Sequence, residues 1–353
     1  MGLVPPGSRQ AGLPAGKLPV SVVMVTHNSK AHIEDALEAL AADPLGPEQV
    51  IVVDNASSDG TPDLVERYGV DLFRQPENLG FPAGCNLGAV RARHPTLAFL
   101  NHDAVPAPGW LPPLLAALDQ AGVGAAMPLI DLTYRPGHFF TSGSQLTFLG
   151  FAWSTDTGQP IPGDLSPQEV PFPSGAAFAI RRALFDQLGG LRPGYFLYLE
   201  DVDFGWRLRL AGLRSLQVPA SRVSHDYDFE RHAAKMYYLE RNRLRMLAAN
   251  YQWKTLLLAA PAIAAVEVGV LAAAIKNQWG RDKLRSWRDL WRDRAAIREE
   301  RRASRAVRSV SDRDMIAGMG DAFAGITQMP LPPFIGIINR ALATYRGWLE
   351  RIL

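Results

Sequence analysis

A single cysteine, Cys85, stands in 353 residues, which rules out an intramolecular disulfide and fits a reducing compartment. Charge is sparse too: 20% of residues are charged and the formal net charge is only +2. So small a sum means little until it is mapped along the chain. No basic-then-apolar leader opens the sequence, so no secretory signal is expected. Neither a P-loop nor a dinucleotide fingerprint occurs. What is present is 47% hydrophobic residues, enough to bury the core of one large domain or of a domain with an appendage. The opening "MGLVPPGSRQAGLPAG" is Gly/Pro-rich, and Leu3–Ser8 looks like a protease-site linker. Residues 1–17 are therefore read as a flexible tail outside the fold.

Continuous apolar runs alternate with helical periods over the first hundred residues. "LPVSVVMVTHN" (18–28) is a β-branched run ending in polar residues, and "SKAHIEDALEALAA" (29–42) carries Ile33, Ala36, Leu37 and Leu40 at helical spacing. "QVIVVDNASSDGT" (49–61), "VDLFR" (70–74) and "LAFL" (97–100) read as further strands, with "ENLGFPAGCNLGAVRAR" (77–93) a loop opening a helix. Such strands alternating with helices indicate a mostly parallel sheet covered on both faces, with ligands beyond the strands' carboxyl ends. The polar clusters Thr26-His27-Asn28, Asp54-Asn55 and Asn101-His102-Asp103 all fall at such ends. Residues 104–172 are Pro/Gly-rich and are expected to be less regular, with an antiparallel excursion around "FFTSGSQLTFLGFAW". Beyond them, "AAFAIRRALFDQLGG" reads as a strand into a helix, "EDVDFGWRLRLAG" as a helix with acids in its first turn, and "SLQVPASRVSHD" as a last strand delivering His225.

After about residue 230 the character changes. "TLLLAAPAIAAVEVGVLAAAI" (255–275) is long enough to cross a bilayer but is interrupted by Pro261 and Glu267. An in-plane or re-entrant helical hairpin, or docking on the catalytic domain, is expected rather than a span. From Lys276 to Arg308 twelve Lys/Arg face five Asp/Glu, an excess of +7, with Trp279, Trp287 and Trp291 interleaved. That pattern reads as a surface for anionic lipid over 255–308. No nucleic-acid-binding module accompanies the charge, so nucleic acid is not an expected partner.

The chemistry-bearing residues follow from these placements. Asp103 at a strand end can bind a hard divalent cation that neutralises a phosphate-bearing ligand; Asn101 adds a weaker oxygen or orients Asp103. Gly80, Gly84 and Gly88 around a helix opening allow backbone N–H groups to approach phosphates. Asp54 can accept a hydrogen bond from a base N–H, or simply cap an Asx-rich turn. Glu200, Asp201 and Asp203 place three carboxylates within four residues, after the apolar "YFLYL". A carboxylate from that cluster, held in a partly desolvated cleft, is the best general-base candidate.

The blocks "VSVVMVTHN", "VIVVDNASSDGT", "ENLGFPAGCN", "FLNHDAV", "PSGAAFAIRRALFDQLGG", "YLEDVDFGWRLRLAG" and "YYLERNRLRML" occur in the order and spacing of family 2 glycosyltransferases of the GT-A fold. The chain most resembles their bacterial rhamnosyltransferase-like members, over about residues 19–250. The resemblance implies an α/β, Rossmann-like mixed, mostly parallel sheet flanked by helices. By implication Thr26, His27, Asn28 and Asp54 would hold the nucleoside, and Asn78, Gly80 and Asn86 the nucleotide. Asn101-His102-Asp103 stands at the family's Asp-x-Asp motif, with Asn101 and His102 beside the donor and Asp103 as ligand to Mn2+ or Mg2+. Asp201 would be the catalytic base, His225 a further metal or diphosphate ligand, and Glu200, Asp203 and Trp206 would line the acceptor side. His27 replaces the family's usual Tyr, and Asn101 the first Asp of Asp-x-Asp.

The expected organisation is a tail at 1–17, a GT-A catalytic domain at 18–230 (nucleotide-sugar half 18–103, acceptor half 104–230) and a helical, basic, membrane-associating extension at 231–353. The expected function is inverting, metal-dependent transfer of a sugar from a nucleotide-diphosphate donor, dTDP-rhamnose or a UDP-sugar, to a hydroxyl of a glycan or lipid-linked acceptor in cell-surface polysaccharide synthesis. Cytoplasmic placement at the inner face of the cell membrane goes with it. Two other readings compete. A nucleotidyltransferase should carry a Gly-rich, basic loop after its first strand, which "VTHNSKAHIE" lacks. A non-catalytic nucleotide-sugar scaffold need not keep acids at both Asp103 and Asp201.

Overall fold

The computed structural model describes residues 16–226, 234–320 and 335–353. The N-terminal tail expected at 1–17 therefore lies almost wholly outside the described residues, as do 227–230 of the expected catalytic domain.

The first half is built as β1 (Leu18–Thr26), α1 (Ile33–Ala42), β2 (Pro47–Asp54), α2 (Thr61–Glu66), β3 (Asp71–Arg74), α3 (Phe81–Arg91) and β4 (Thr96–Leu100). β1 pairs in parallel with β2 and β4, and β2 with β3. Burial explains these strands: Val22 and Met24 of β1 enter the core on one face of the sheet, Val23 and Val25 the core on the other. α3 packs unusually close to β1. A Cβ at Gly84 would lie 2.7 Å from Val25 Cγ1, and one at Gly88 2.3 Å from Val23 Cγ1. These two glycines serve helix–sheet contact and not phosphate approach, which corrects the reading drawn from their spacing. Cys85 lies in the same contact, buried, and burial pushes its thiol pKa well up, so it is no reactive nucleophile.

Residues 104–172 are more regular than their Pro/Gly content implies. They form β5 (Ala104–Pro106), α4 (Leu111–Leu118), β6 (Val123–Leu132), β7 (Arg135–Thr141), β8 (Ser144–Leu146), β9 (Ala152–Ser154) and β10 (Gln168–Val170). The anticipated antiparallel excursion is present as β7 on β6 and β8 on β9. Pro128 is tolerated within β6 because the register of its partner strand shifts just beyond it, after Val218. Then come β11 (Ala177–Arg181), α5 (Arg182–Gln187), α6 (Glu200–Leu210) and β12 (Arg214–His225). The main sheet runs β3-β2-β1-β4-β11-β6-β12-β10. It is mixed, parallel through its first four strands and antiparallel where β11 joins β4 and β6.

Helices α7 (Lys235–Asn250), α8 (Trp253–Lys276), α9 (Gly280–Arg292), α10 (Arg294–Val307), α11 (Asp312–Ala317) and α12 (Ile335–Ile352) complete the described chain. A third core joins α7, α8, α11 and α12 to α6: Trp206 and Leu210 pack with Met246, Leu247, Tyr251 and Met315. α8 is one continuous helix with Pro261 inside it, not the hairpin that was one of the expectations.

Candidate active site

The polar strand ends converge. One cavity of about 620 Å³ is lined by Thr26, His27 and Asn28 at the end of β1, by Asn101, His102 and Asp103 just after β4, and by His225 at the end of β12. Asn78 and Gly80 before α3, and Glu200 and Asp201 at the start of α6, face the same space.

On one wall, Asp103 Oδ1 lies 3.1 Å from His225 Nε2, both side chains buried. Residues 122 apart meet there because β5 pairs with β12, setting Ala104 against His225. Two atoms bound side by side on an octahedral ion at about 2.1 Å stand about 3 Å apart, so the pair fits two positions of a divalent cation. Among the described residues no group of three or more His, Cys, Asp and Glu is arranged to hold a metal. A cation here would draw its remaining ligands from substrate phosphates and water. Beside the pair, His102 Nδ1 faces Val25 O at 3.3 Å, and burial holds its pKa below the ordinary histidine value although Asp103 opposes that.

The opposite wall carries the acids of α6. Asp201 Oδ2 accepts the Gly175 N–H and Oδ1 the Val202 N–H, each at 2.8 Å. Burial raises its pKa above the usual carboxylate value, and these two N–H groups restrain the rise. Glu200, more deeply buried and next to the charge of Asp201, is pushed up to about 8, and its Oε2 has no hydrogen-bond partner. The loop entering α6 is strained: Phe196, Tyr198 and Leu199 have φ of 63°, 68° and 65°. Asn242 of α7 clamps it by donating from Nδ2 to the carbonyls of Tyr195, Leu197 and Tyr198 at 2.8–3.0 Å.

Four anticipated site residues are elsewhere. Asp54 is buried behind the wall, where Oδ1 accepts from Thr26 Oγ1 and Oδ2 from the Ser57 N–H, the Asx-turn role. Asn86 ties α3 to the loop after α5 through the N–H and carbonyl of Leu191 and does not reach the cavity. Asp203 is wholly buried on the other side of α6, between Arg192 (2.6 Å) and Arg207 (2.9 Å). Burial would raise it, but the two guanidinium groups outweigh burial and hold its carboxyl below the ordinary range. Trp206 is also fully buried, edge-on to Tyr251. Asp203 and Trp206 thus hold α6 to α7 and do not line this cavity.

Asn55, placed by the sequence only as Asp54's neighbour in a strand-end cluster and assigned no role there, is a site residue. It lines the cavity, donates from Nδ2 to Gly80 O at 3.1 Å, and keeps a buried Oδ1 with no partner. Alternation at the end of β2 was the available signal: if Asp54 turns inward to Thr26, the next side chain turns the other way.

The family model described as glycosyl transferase family 2 matches residues 21–189. An N-acetylglucosaminyl-diphospho-decaprenol L-rhamnosyltransferase of Mycobacterium tuberculosis is 33% identical, the match covering 58% of this chain and 75% of that protein. The chain belongs to glycosyltransferase family 2. Polypeptide N-acetylgalactosaminyltransferase 8 of Drosophila melanogaster is 28% identical over 60% of this chain, which spans 39% of that relative. A crystal structure of GalNAc-T7 with UDP, GalNAc and Mn2+ superposes with a TM-score of 0.56 at 20% identity, covering 66% of this chain and 48% of that one. At that identity the likeness establishes the GT-A fold of this glycosyltransferase and no more.

Proposed function

We propose that this glycosyltransferase moves a sugar, with inversion, from a nucleotide-diphosphate donor to a hydroxyl of a lipid-linked or glycan acceptor. The observation that carries the reading is the facing of two walls across one cavity, the Asp103–His225 pair on one and Asp201 on the other. The donor lies along the ends of β1, β2 and β4, its base toward Asn55 and its diphosphate toward the Asp103–His225 pair. Asp103 and His225 would hold Mn2+ or Mg2+, which when bound supplies charge neutralisation for the departing diphosphate.

Asp201 takes the proton of the acceptor hydroxyl, whose oxygen forms a bond to the anomeric carbon as the bond to the diphosphate breaks. The electron pair of that bond leaves with the nucleotide. Two backbone N–H groups favour the ionised form of Asp201 and aim it, while burial raises its basicity. Similarity to the mycobacterial rhamnosyltransferase favours a deoxyhexose such as rhamnose from its dTDP form, with a UDP-sugar next, and an acceptor carried on a polyprenyl diphosphate. Cell-surface polysaccharide synthesis is the setting this implies.

A thermal-shift panel of UDP, dTDP and GDP, each with and without Mn2+ or Mg2+, tests the donor site. Binding to the native state alone should raise the melting temperature. One nucleotide class should do so, more strongly with metal, and Asp103→Ala should remove only the metal increment. No shift from any nucleotide overturns the reading and brings the scaffold alternative forward.

A further inference from the structure

Glycosyl transfer gives α8 and α9 no task, and among the described residues both carry faces with no partner. α8 is long and apolar enough, by length and composition, to cross a membrane. Its inner face is fixed to the protein: Ala259 and Ala262 are buried, and Glu267 is ion-paired with Arg243 of α7 and Lys283 of α9 and accepts from Trp287 Nε1. Among the described residues nothing covers its outer face. Leu257, Val268 and Ile275 are 73%, 70% and 67% exposed, with Ala264 and Ala272 exposed between them. Glu267 is the one charge between Lys254 and Lys276, and it points inward to its partners, so the outer stripe is apolar from end to end. Monomeric proteins seldom leave so continuous an apolar face in water.

After a three-residue turn, α9 adds the second feature. Arg281, Leu284, Arg285, Arg288, Trp291 and Arg292 recur at helical spacing and are all exposed. Arg285, Arg288 and Arg292 share one carboxylate, that of Asp289, so this face keeps a cationic excess. An apolar stripe beside a cationic face with a protruding indole matches a bilayer surface of anionic lipid.

We propose that α8 and α9 seat the protein on an anionic membrane surface, α8 lying in the plane of the interface rather than spanning it. The Glu267–Lys283 ion pair decides between the two. Drawing α8 through a bilayer would pull α9 and its arginines into hydrocarbon, at a cost no contact there returns. In-plane seating keeps that pair on the protein side and turns the Leu257–Ile275 stripe to the acyl boundary. The surface so matched is the inner leaflet of the cell membrane, which makes the protein cytoplasmic and peripheral. Such seating brings the active site to any lipid-linked acceptor, yet it needs neither nucleotide nor cation. Its failure and that of the donor-site reading are therefore separable.

Cosedimentation of the full chain with vesicles tests it, phosphatidylcholine alone against phosphatidylcholine with phosphatidylglycerol. Binding should be at least about tenfold stronger to the anionic vesicles and should weaken as salt rises, since screening removes the attraction between the arginines and the lipid charge. The double variant Leu257→Glu/Val268→Glu should lose binding about tenfold or more, with its nucleotide-induced thermal shift intact. Arg285→Glu/Arg288→Glu should lose only the preference for anionic lipid. The salt series on unaltered protein needs no variant to fold. Absence of binding to both vesicles overturns the proposal, as does unchanged binding by the Leu257/Val268 variant. Release from membranes by detergent but not by alkaline carbonate would mean a span, and a dimer abolished by Val268→Glu a second copy; either also overturns it.

Discussion

Asn242 holds the carbonyl of Tyr198 at 2.8 Å, and with it a left-handed stretch that ends one residue before Glu200. Each non-glycine residue in that region costs roughly 1–3 kcal/mol, so Phe196, Tyr198 and Leu199 need an external restraint. The same Nδ2 reaches the carbonyls of Tyr195 and Leu197, making Asn242 a positioning residue for Asp201. Asn242→Asp keeps the shape and loses the donors. Its kcat should fall on the order of 100-fold, the effect of a misplacement of about 1 Å, while donor KM changes little. Steady-state kinetics checks this, and equal changes in kcat and KM would mean general loosening instead.

Asp201→Asn should reduce turnover roughly 10²–10⁴-fold and leave nucleotide-induced thermal stabilisation in place. Retained turnover would remove Asp201 as the base. Loss of nucleotide binding as well would place it in the donor site.

Asn55 Oδ1 is a buried acceptor in want of an N–H, and the imide of a pyrimidine base or the N–H edge of guanine supplies one. Asn55→Ala should weaken nucleotide binding about tenfold, near the value of one buried hydrogen bond. Calorimetric titration of the preferred nucleotide reads this directly. Asp54→Asn should perturb binding less, because Asp54 faces Thr26 and Ser57.

Glu200 gives a pH signature. Its carboxyl sits at about 8 in the folded chain against an ordinary 4.5, through burial first and the charge of Asp201 second. Above pH 4.5 the unfolded chain releases this proton while the folded chain keeps it. The contribution to stability is therefore full below about pH 4.5 and is lost as pH rises toward 8. Glu200→Gln removes the loss, so its melting temperature should exceed that of the unaltered protein at pH 8 and the gap should close toward pH 4.5. A constant gap across that range would show that Glu200 is ionised throughout.

Asp203 is bound by Arg192, Arg207, Tyr195 and Asn250, and Arg192 also donates to Ser304 of α10. Removing the carboxylate leaves two buried guanidinium groups facing each other. Asp203→Ala should destabilise by about 3–5 kcal/mol in urea unfolding. A loss below about 1 kcal/mol would mean that water or rearrangement satisfies the arginines.

Much of the site was legible because a buried strand must shed its polar residues at its end. β1 and β4 do so at Thr26-His27-Asn28 and Asn101-His102-Asp103, and the parallel order sends both ends to one edge. The acids of α6 were legible as a cluster but not as individuals. Residues two apart on a helix lie about 200° around it, so once α6 forms, Asp203 turns away from the side that Asp201 faces. Asp203 and Trp206, three apart, share the inward face toward α7.

By itself the sequence determined the α/β order, the strand ends that carry the chemistry and the family, because these rest on local period and on motif spacing. Tertiary structure decided what local pattern cannot hold. Contact between β5 and β12 brought His225 to Asp103 across 122 residues. Packing of α3 on β1 turned Gly84 and Gly88 from a phosphate cradle into a close contact. Burial against α7 and α9 turned Glu267 from an obstacle to membrane insertion into the anchor that keeps α8 on the protein. A carboxylate's role depends on which cations and N–H groups surround it, and those come from segments far away in the chain.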